Sequence, residues 1–310
     1  MPPESSSRPP GEGRALQLVY YGYVVASRVA LALPERPAYA LAEGMGRLKA
    51  RFFRRQAVAV ERNLARITGR PLGSPELEGM VREVYASYAR YWLETFRLVR
   101  QEPEFFLERV QCTTLHRLDE VLAEHGGAIL VAGHLGNWDA IGAWGAVRGY
   151  RVVALAELLR PHRMFEFFRK HRARLGMTIY PADKGAVRRL TEEVRGGAVV
   201  AIVGDKDLKG RGREVSFFGA RVKFAAGPAM LAARTGVPLL VAGTYGVTRA
   251  DGRRGWDLEI AEPIPVPEGD PKVLTTLTQE VARKLERFIA RRPTEWHIVD
   301  DYWGIDRRAT

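Results

Sequence analysis

Ala128-Ile129-Leu130-Val131-Ala132, followed at once by Gly133-His134-Leu135-Gly136-Asn137-Trp138-Asp139, is the stretch that decides the fold. Its first five residues are short and apolar throughout, as a strand buried on both faces must be. The loop after them carries two glycines, a histidine and an acid before helical periodicity takes over at Trp138–Arg148. A strand that hands over to a helix through such a loop is half of a βαβ unit. The same texture recurs downstream. Val152–Leu155, Thr178–Tyr180, Ala198–Val203, Leu239–Thr244 and Trp256–Ile260 read as buried strands, and His162–Leu175, Lys184–Arg195, Pro228–Thr235 and Thr275–Ala290 as helices. Gly149, Gly176, Gly196-Gly197 and Gly236 fit the turns between them. This alternation predicts an α/β fold with a mostly parallel central sheet flanked by helices.

Upstream the texture is helical from about residue 15 to 125. Ser74-Pro75-Glu76 is a helix start: a serine N-cap, proline at the first helical position and an acidic first turn. The helix that follows bears Met80, Val84, Tyr85, Tyr88, Tyr91, Trp92, Phe96 and Leu98, a stripe that suits a core or a membrane interface. Ala15–Leu33 is about one bilayer thickness in helical length, but Arg28 interrupts it and Tyr20, Tyr21 and Tyr23 suit interfacial depth. Three readings stand for it: a helix lying on the membrane, a buried core helix, or a span. Arg47, Lys49, Arg51, Arg54, Arg55, Arg62 and Arg66 alternate with Phe52, Phe53, Val58, Val60, Leu64 and Ile67. That pattern predicts a basic amphipathic helix able to dock on anionic lipid, or else an ordinary solvated face. Met1–Gly13, rich in Pro, Ser and Gly, is expected to be a disordered tail. The expected organisation is thus a tail over 1–14 and one domain over 15–310, helical to 125 and α/β from 126.

Composition narrows the partners. The 310 residues are 46% hydrophobic and 27% charged, which excludes a disordered, collagen-like or coiled-coil chain. One cysteine, Cys112, excludes an internal disulfide framework or a cysteine-based zinc site. Basic residues outnumber acidic ones by 48 to 36, a net charge of +12, and all but eight of the basic residues are arginine. Guanidinium grips phosphate bidentately, so nucleic acid, a phosphorylated substrate and an anionic membrane are all open, beside a genomic bias toward arginine.

In open α/β sheets ligands sit beyond the C-terminal ends of the strands, where His134 stands. A carboxylate five residues on, Asp139, can fold back onto one imidazole nitrogen and leave the other free to take a proton. The bland reading is a structural histidine with Asn137 or Asp139 capping the helix. Gly133 and Gly136 allow a tight turn and close approach of a substrate. A dinucleotide fold would need G-x-G-x-x-G here, and a serine hydrolase a G-x-S-x-G elbow; the chain has neither in place.

GHLGNWD resembles the His-x4-Asp box of the lysophospholipid and glycerophosphate acyltransferase superfamily. Further pieces resemble its bacterial lipid A biosynthesis (lauroyl/myristoyl) acyltransferase branch, and within it the phosphatidylinositol mannoside acyltransferases. They are RYWLETFRL (90–98), FRKHRARLGM (168–177), GDKDLKGRGREVSFFG (204–219), KFAAGPAMLAARTGVPLLV (223–241) and PTEWHIVDDYW (293–303). The resemblance implies acyl transfer from a thioester to a sugar or glycerol hydroxyl. His134 would be the general base and Asp139 would orient and stabilise the imidazolium. Arg172 aligns with a motif arginine that can meet phosphate, and Asn137 lies in the first motif beside the substrate. Family members carry an acid, often Glu, at Asp205, which would hold the base or the acceptor hydroxyls. Asp205-x-Asp207 invites a calcium reading, but Lys209 occupies the next ligand position and no metal is expected. Lys206, Lys209, Arg211 and Arg213 would form a clamp for the phosphates of coenzyme A or a phospholipid headgroup. Phe217, Phe218 and Gly219 would line the acyl or acceptor pocket, or pack as a strand into the core. Lys223 would meet anionic substrate beside the Gly227-Pro228 helix start.

These resemblances imply a membrane-associated enzyme, monomeric, on the cytoplasmic face of the inner (plasma) membrane. It would use acyl-CoA as donor substrate, or acyl carrier protein as in a lipid A-type Kdo-disaccharide acyltransferase, and a glycolipid acceptor, without a cofactor or nucleic acid. The rival from another class is a non-enzymatic nucleic-acid or anionic-membrane binding protein that uses the same arginines and does not depend on His134.

Overall fold

The computed structural model describes residues 14–158, 160–207, 210 and 212–304, with the side chains of 14 and 15 excepted. The expected disordered tail therefore lies outside the described residues apart from position 14, as do Lys209 and Arg211 of the basic clamp.

In chain order the strands are β1 (Val110–Gln111), β2 (Ala128–Ala132), β3 (Val152–Ala156), β4 (Thr178–Pro181), β5 (Val199–Val203), β6 (Arg213–Phe217), β7 (Ala220–Phe224), β8 (Leu239–Thr248) and β9 (Arg254–Ile260). Among the described residues they form a seven-stranded sheet in the order β1-β9-β8-β2-β5-β3-β4 and a separate β6–β7 hairpin. All pairings in the large sheet are parallel except β8 with β9. The apolar runs form the centre because both their faces are covered: Ile129, Val131, Val153, Val200, Leu239, Leu240 and Val241 are fully buried.

The helices that cover the sheet are α5 (Pro103–Arg109), α6 (His116–His125), α7 (Trp138–Val147), α8 (His162–Arg174), α9 (Ala186–Arg195), α10 (Gly227–Thr235) and α11 (Val273–Arg291). Two features were not legible beforehand. The β8–β9 pair is antiparallel, and Phe217 sits in the edge of a hairpin. There Phe218 and Gly219 form the two-residue turn, with φ of 49° and 72°. Positive φ at both turn positions is the type I′ geometry that matches strand twist.

N-terminal to the sheet lie α1 (Arg14–Ala32), α2 (Glu35–Phe52), α3 (Arg54–Thr68) and α4 (Pro75–Leu98). Ser74 caps α4 as expected, its side chain accepting from Leu77 N at 3.3 Å. The basic amphipathic stretch is two helices and not one: the chain breaks at Phe53 between α2 and α3. Arginine side chains at the end of α4 and just beyond it tie down the C-terminal end of α1. Arg97 donates to the carbonyls of Ala30 and Leu33 at 2.6 and 2.8 Å, and Arg100 to that of Leu31 at 2.8 Å. Cations placed on the orphan carbonyls of a helix end satisfy both its hydrogen bonding and its dipole.

The outer faces of α1 and α2 are apolar. On α1, Leu18, Tyr21, Val25 and Val29 are exposed at helical spacing; on α2, Leu41, Met45, Leu48 and Phe52 are, with Phe52 70% accessible. Among the described residues, no helix is long and apolar enough to cross a membrane.

The crossing of α2 over α4 depends on Gly46. A methyl group there would overlap the Tyr85 carbonyl, backbone that cannot swing aside. Gly46→Ala is therefore expected to cost roughly 1–3 kcal/mol despite its better helix propensity. A thermal-unfolding scan showing equal or higher Tm would contradict this packing.

Candidate active site

The strand register places the first functional pair. β2 and β5 run parallel with Ala132 opposite Val203. His134 lies two residues beyond Ala132, and Asp205 two residues beyond Val203, so the two emerge side by side. The Asp205 carboxylate takes the backbone N–H of His134 at 2.8 Å and faces the imidazole Nδ1 at 2.6 Å. Trp296 Nε1 donates to the same carboxylate at 2.8 Å, and the Tyr302 hydroxyl donates to the Asp205 carbonyl. Asp205 is wholly buried. Burial acts to raise its pKa, but the adjacent His134 and the donors around it outweigh that and hold it below the ordinary carboxylate value. Pinned on the backbone side, the carboxylate fixes the imidazole with Nδ1 as donor and leaves Nε2 available.

The loop is clamped from its other side by the C-terminal segment. Gly136 N donates to Glu295 O at 3.0 Å, His297 N donates to His134 O at 2.7 Å, and Leu135 bridges Trp296 between them. Gly136 has φ of +62°, and a Cβ there would overlap the Thr244 carbonyl, so its close approach is to the β8 backbone rather than to a substrate.

Asp139 occupies a different position from the one expected. Among the described residues it makes no hydrogen bond to His134. Arg172 reaches it through Nε at 2.6 Å and a terminal nitrogen at 3.2 Å, and Tyr91 donates its hydroxyl at 2.9 Å. The reason is geometric: Asp139 is the second residue of α7, carried by the helix toward α4 and α8, while the strand register delivers Asp205 to the histidine. Burial again opposes ionisation of Asp139, and Arg172 and Tyr91 overcome it, keeping the carboxyl below its usual value. The same pair engages the guanidinium of Arg172, which was expected to meet phosphate.

Asn137 is likewise committed. Its Oδ1 caps α7 at Ala140 N (3.0 Å), its Nδ2 donates to Glu94 at 2.9 Å, and it is buried. It is a structural cap and not a surface for substrate. Phe217 is buried among Phe224, Trp296, Tyr302 and Trp303. Phe217, Phe218 and Gly219 do not line the cavity described next; the strand-in-core reading describes Phe217, while Phe218 and Gly219 form the hairpin turn, half-buried and exposed. Lys223 also lies off it, exposed and donating to the Gly210 carbonyl at 3.3 Å.

A cavity of about 730 Å³ opens beside His134, within the usual range for ligand sites. Its polar portion includes His134, Arg172, Lys206, Asp207 and His297, with Gly227 and Pro228 on the wall. Its apolar portion runs between α7 and the sheet, past Leu130, Ile141, Trp144, Ala154, Met177 and Ala201. Glycines let α7 pack closely against this wall: at Gly142 a Cβ would overlap the Met177 sulfur, and at Gly145 it would crowd Val152. Lys206 pairs with Asp300 at 2.8 Å beside the cavity, while Asp207 turns away from Asp205 to accept from Gly212 N at 2.5 Å.

Several residues at this centre carried no individual role in the sequence reading: Tyr91, Glu94, Trp296, His297 and Tyr302. Each sits inside a quoted motif, RYWLETFRL or PTEWHIVDDYW, so the motifs flagged the segments without indicating which side chains turn inward. His297 is the clearest case. Its Nε2 lies 3.0 Å from Ser87 Oγ, its Nδ1 has no partner among the described residues, and burial lowers its pKa to about 3, which keeps the ring neutral.

A histidine–carboxylate pair at the C-terminal ends of two parallel strands, opening on an apolar cavity, is the layout of a ligand-binding site in an α/β protein. Comparison with known proteins gives the class: the family model for bacterial lipid A biosynthesis acyltransferases matches residues 11–304, and the chain belongs to that family. It is therefore an acyltransferase. Within the family it is similar to the phosphatidylinositol mannoside acyltransferase of Mycolicibacterium smegmatis, 31% identical over 296 residues, covering 94% of this chain and 93% of that protein. Proteins of the same name from two Mycobacterium tuberculosis strains are 31% and 32% identical, each aligned over 83% of this chain and 81% of its own length.

Replacing Trp296 by Phe removes one donor from Asp205 and returns its pKa toward the ordinary value. A depressed carboxyl contributes stability above the unfolded pKa and loses it as pH falls through the folded one. Trp296→Phe should therefore be less stable at neutral pH, by about 1–3 kcal/mol, and begin acid unfolding at a higher pH. Denaturant titrations from pH 7 down to 3 would reveal an unchanged acid limb if the contact were idle.

Proposed function

We propose that the protein transfers a fatty acyl chain from acyl-CoA to a hydroxyl of a glycolipid acceptor, a phosphatidylinositol mannoside, with His134 as general base and Asp205 as its orienting carboxylate. The observation that carries this reading is the His134–Asp205 dyad standing at the mouth of an apolar cavity. Nε2 of His134 removes the acceptor hydroxyl proton while that oxygen attacks the thioester carbonyl carbon. The tetrahedral intermediate collapses with loss of the coenzyme A thiolate, and the imidazolium returns the proton to sulfur. An ester and free coenzyme A result, and no acyl-enzyme or cofactor takes part. Asp205 stabilises the transient imidazolium. The acyl chain lies in the apolar reach past Ile141, Trp144 and Met177. Asp139 and Arg172, locked together, support the wall of the site.

Two features support work at a membrane surface. The apolar stripes of α1 and α2 face outward, and at the elbow between α2 and α3 the exposed Phe52 and Phe53 are flanked by the exposed Arg51, Arg54 and Arg55. Apolar side chains ringed by guanidinium groups suit the boundary of an anionic leaflet. The rest of the basic stretch is otherwise engaged: Arg47 pairs with Glu43 and Glu83, Arg62 with Asp301, and Arg66 covers the Trp303 ring. We place the enzyme on the cytoplasmic face of the plasma membrane, where acyl-CoA is available.

His134→Ala should lower the transfer rate by a factor of about 10²–10⁴, read as thiol release from a C16 acyl-CoA with a phosphatidylinositol mannoside acceptor. Wild-type turnover in this variant would sink the assignment, and turnover with acyl carrier protein alone would replace the donor. Leu48→Asp with Phe52→Asp should sharply weaken sedimentation with anionic vesicles while His134-dependent thiol release from micellar substrate persists. Undiminished vesicle binding would remove α2 from the docking surface.

A further inference from the structure

Glu94 lies near the C-terminal end of α4, buried and outside the cavity, so it touches no substrate. Its carboxylate nonetheless gathers donors from three separate parts of the chain. Oε2 accepts from Asn137 Nδ2 at 2.9 Å and from Trp256 Nε1 at 3.1 Å, and Oε1 accepts from the Tyr39 hydroxyl at 3.3 Å. Asn137 belongs to the loop of His134, Trp256 to β9, and Tyr39 to the inner face of α2. Around them Arg254 lies over the Tyr39 ring at 4.2 Å and shares Glu43 with Arg90. A buried acid is costly unless every lone pair is matched, and for an ordinary helix–sheet contact an apolar residue would serve as well. What Glu94 supplies that an apolar residue cannot is an acceptor for Asn137.

That acceptor decides the orientation of the Asn137 amide. The cap of α7 needs Oδ1 directed at Ala140 N, and this leaves Nδ2 buried and in need of a partner. Glu94 provides one, and by doing so forbids the flipped amide. Asn137 is three residues after His134 and two before Asp139, so a loop that loses this anchor shifts the imidazole against the cavity. We propose that Glu94 is a positioning residue for the acyl transfer: through Asn137 it sets the placement of His134, and through Tyr39 it joins that loop to the helix whose outer face is the apolar stripe of α2. The proposal rests on the reading of His134 as the base.

The role is one of hydrogen-bond geometry and not of charge, which separates the variants. In Glu94→Gln the amide oxygen can accept from Asn137 and Trp256 while its NH2 group meets the Tyr39 oxygen, so kcat should stay within about threefold of wild type. Glu94→Leu leaves all three donors without their acceptor, and kcat should fall by roughly tenfold to a hundredfold, the scale of a displacement of about 1 Å. KM for a C16 acyl-CoA should stay within about twofold, because the cavity wall is untouched. Asn137→Asp keeps a good helix cap but sets two carboxylates face to face. It should lose kcat by at least tenfold, and combining it with Glu94→Gln should regain part of the loss: the new amide can turn its NH2 toward the carboxylate at 137, but that sets the NH2 against Trp256 Nε1, which shares the same position.

Thiol release with phosphatidylinositol mannoside and thermal unfolding of each variant supply the readouts. Folded Glu94→Leu with kcat near wild type overturns the proposal, as does an equal loss in Glu94→Gln and Glu94→Leu. Should Glu94→Leu fail to fold, the Asn137→Asp pair decides: either no loss in the single variant or no recovery in the double one overturns it. His134→Ala separates this inference from its foundation. Turnover in His134→Ala removes the base itself, whereas an inactive His134→Ala beside a fully active Glu94→Leu removes only the positioning role.

Discussion

A carboxylate with no access to water, Asp205, organises the site. Its charge can persist in that position only if its oxygens are matched by donors, and the donors come from segments far apart in the chain: the backbone and ring of His134, and the indole of Trp296. Satisfying the acid thus requires the β2–β5 register, the β2–α7 loop and the C-terminal segment to be in place together. The loop then receives further support from the antiparallel contacts of Leu135 and Gly136 with Glu295 and Trp296. A histidine held in this way has one defined tautomer and one free nitrogen, which is what proton transfer requires.

Around this centre the protein repeats one device, a buried acid neutralised by donors from different layers. Asp139 binds α7 to α8 and α4 through Arg172 and Tyr91, and Glu94 binds α4 to β9, α2 and the loop. Each acid is expensive alone and satisfied only in the assembled fold. The helical N-terminal layer is consequently joined to the sheet by polar contacts of defined geometry as well as by packing. The positive charge divides along the same lines: some arginines hold elements together, as Arg97, Arg100 and Arg172 do, and others remain exposed at the α2–α3 elbow.

Much of the architecture was readable from periodicity. The apolar runs became β2, β3, β4, β5, β8 and β9, and the serine–proline start became the capped end of α4, because these signals are local and depend only on which faces are buried. The helix break at Phe53 was not readable, since the alternation of basic and apolar residues continues across it without a glycine or proline. The β6–β7 hairpin was missed because its turn uses Phe218 in a left-handed conformation, where the usual residue is glycine or asparagine. The direction of β9 left no mark in its composition.

At the site, sequence alone determined that a histidine stands in a glycine-bearing loop at the end of a buried strand, with Asp139 five residues on; the family resemblance added Asp205 and Arg172 as further site residues. It could not determine which acid meets the histidine. The nearer one in sequence, five residues away, was the natural expectation, yet the partner is 71 residues distant. Local spacing fixes where a side chain leaves a helix or strand, but contact between two loops depends on which strands are neighbours and in what register. Only the tertiary structure, by setting β5 beside β2, delivered Asp205 to His134 and left Asp139 to Arg172.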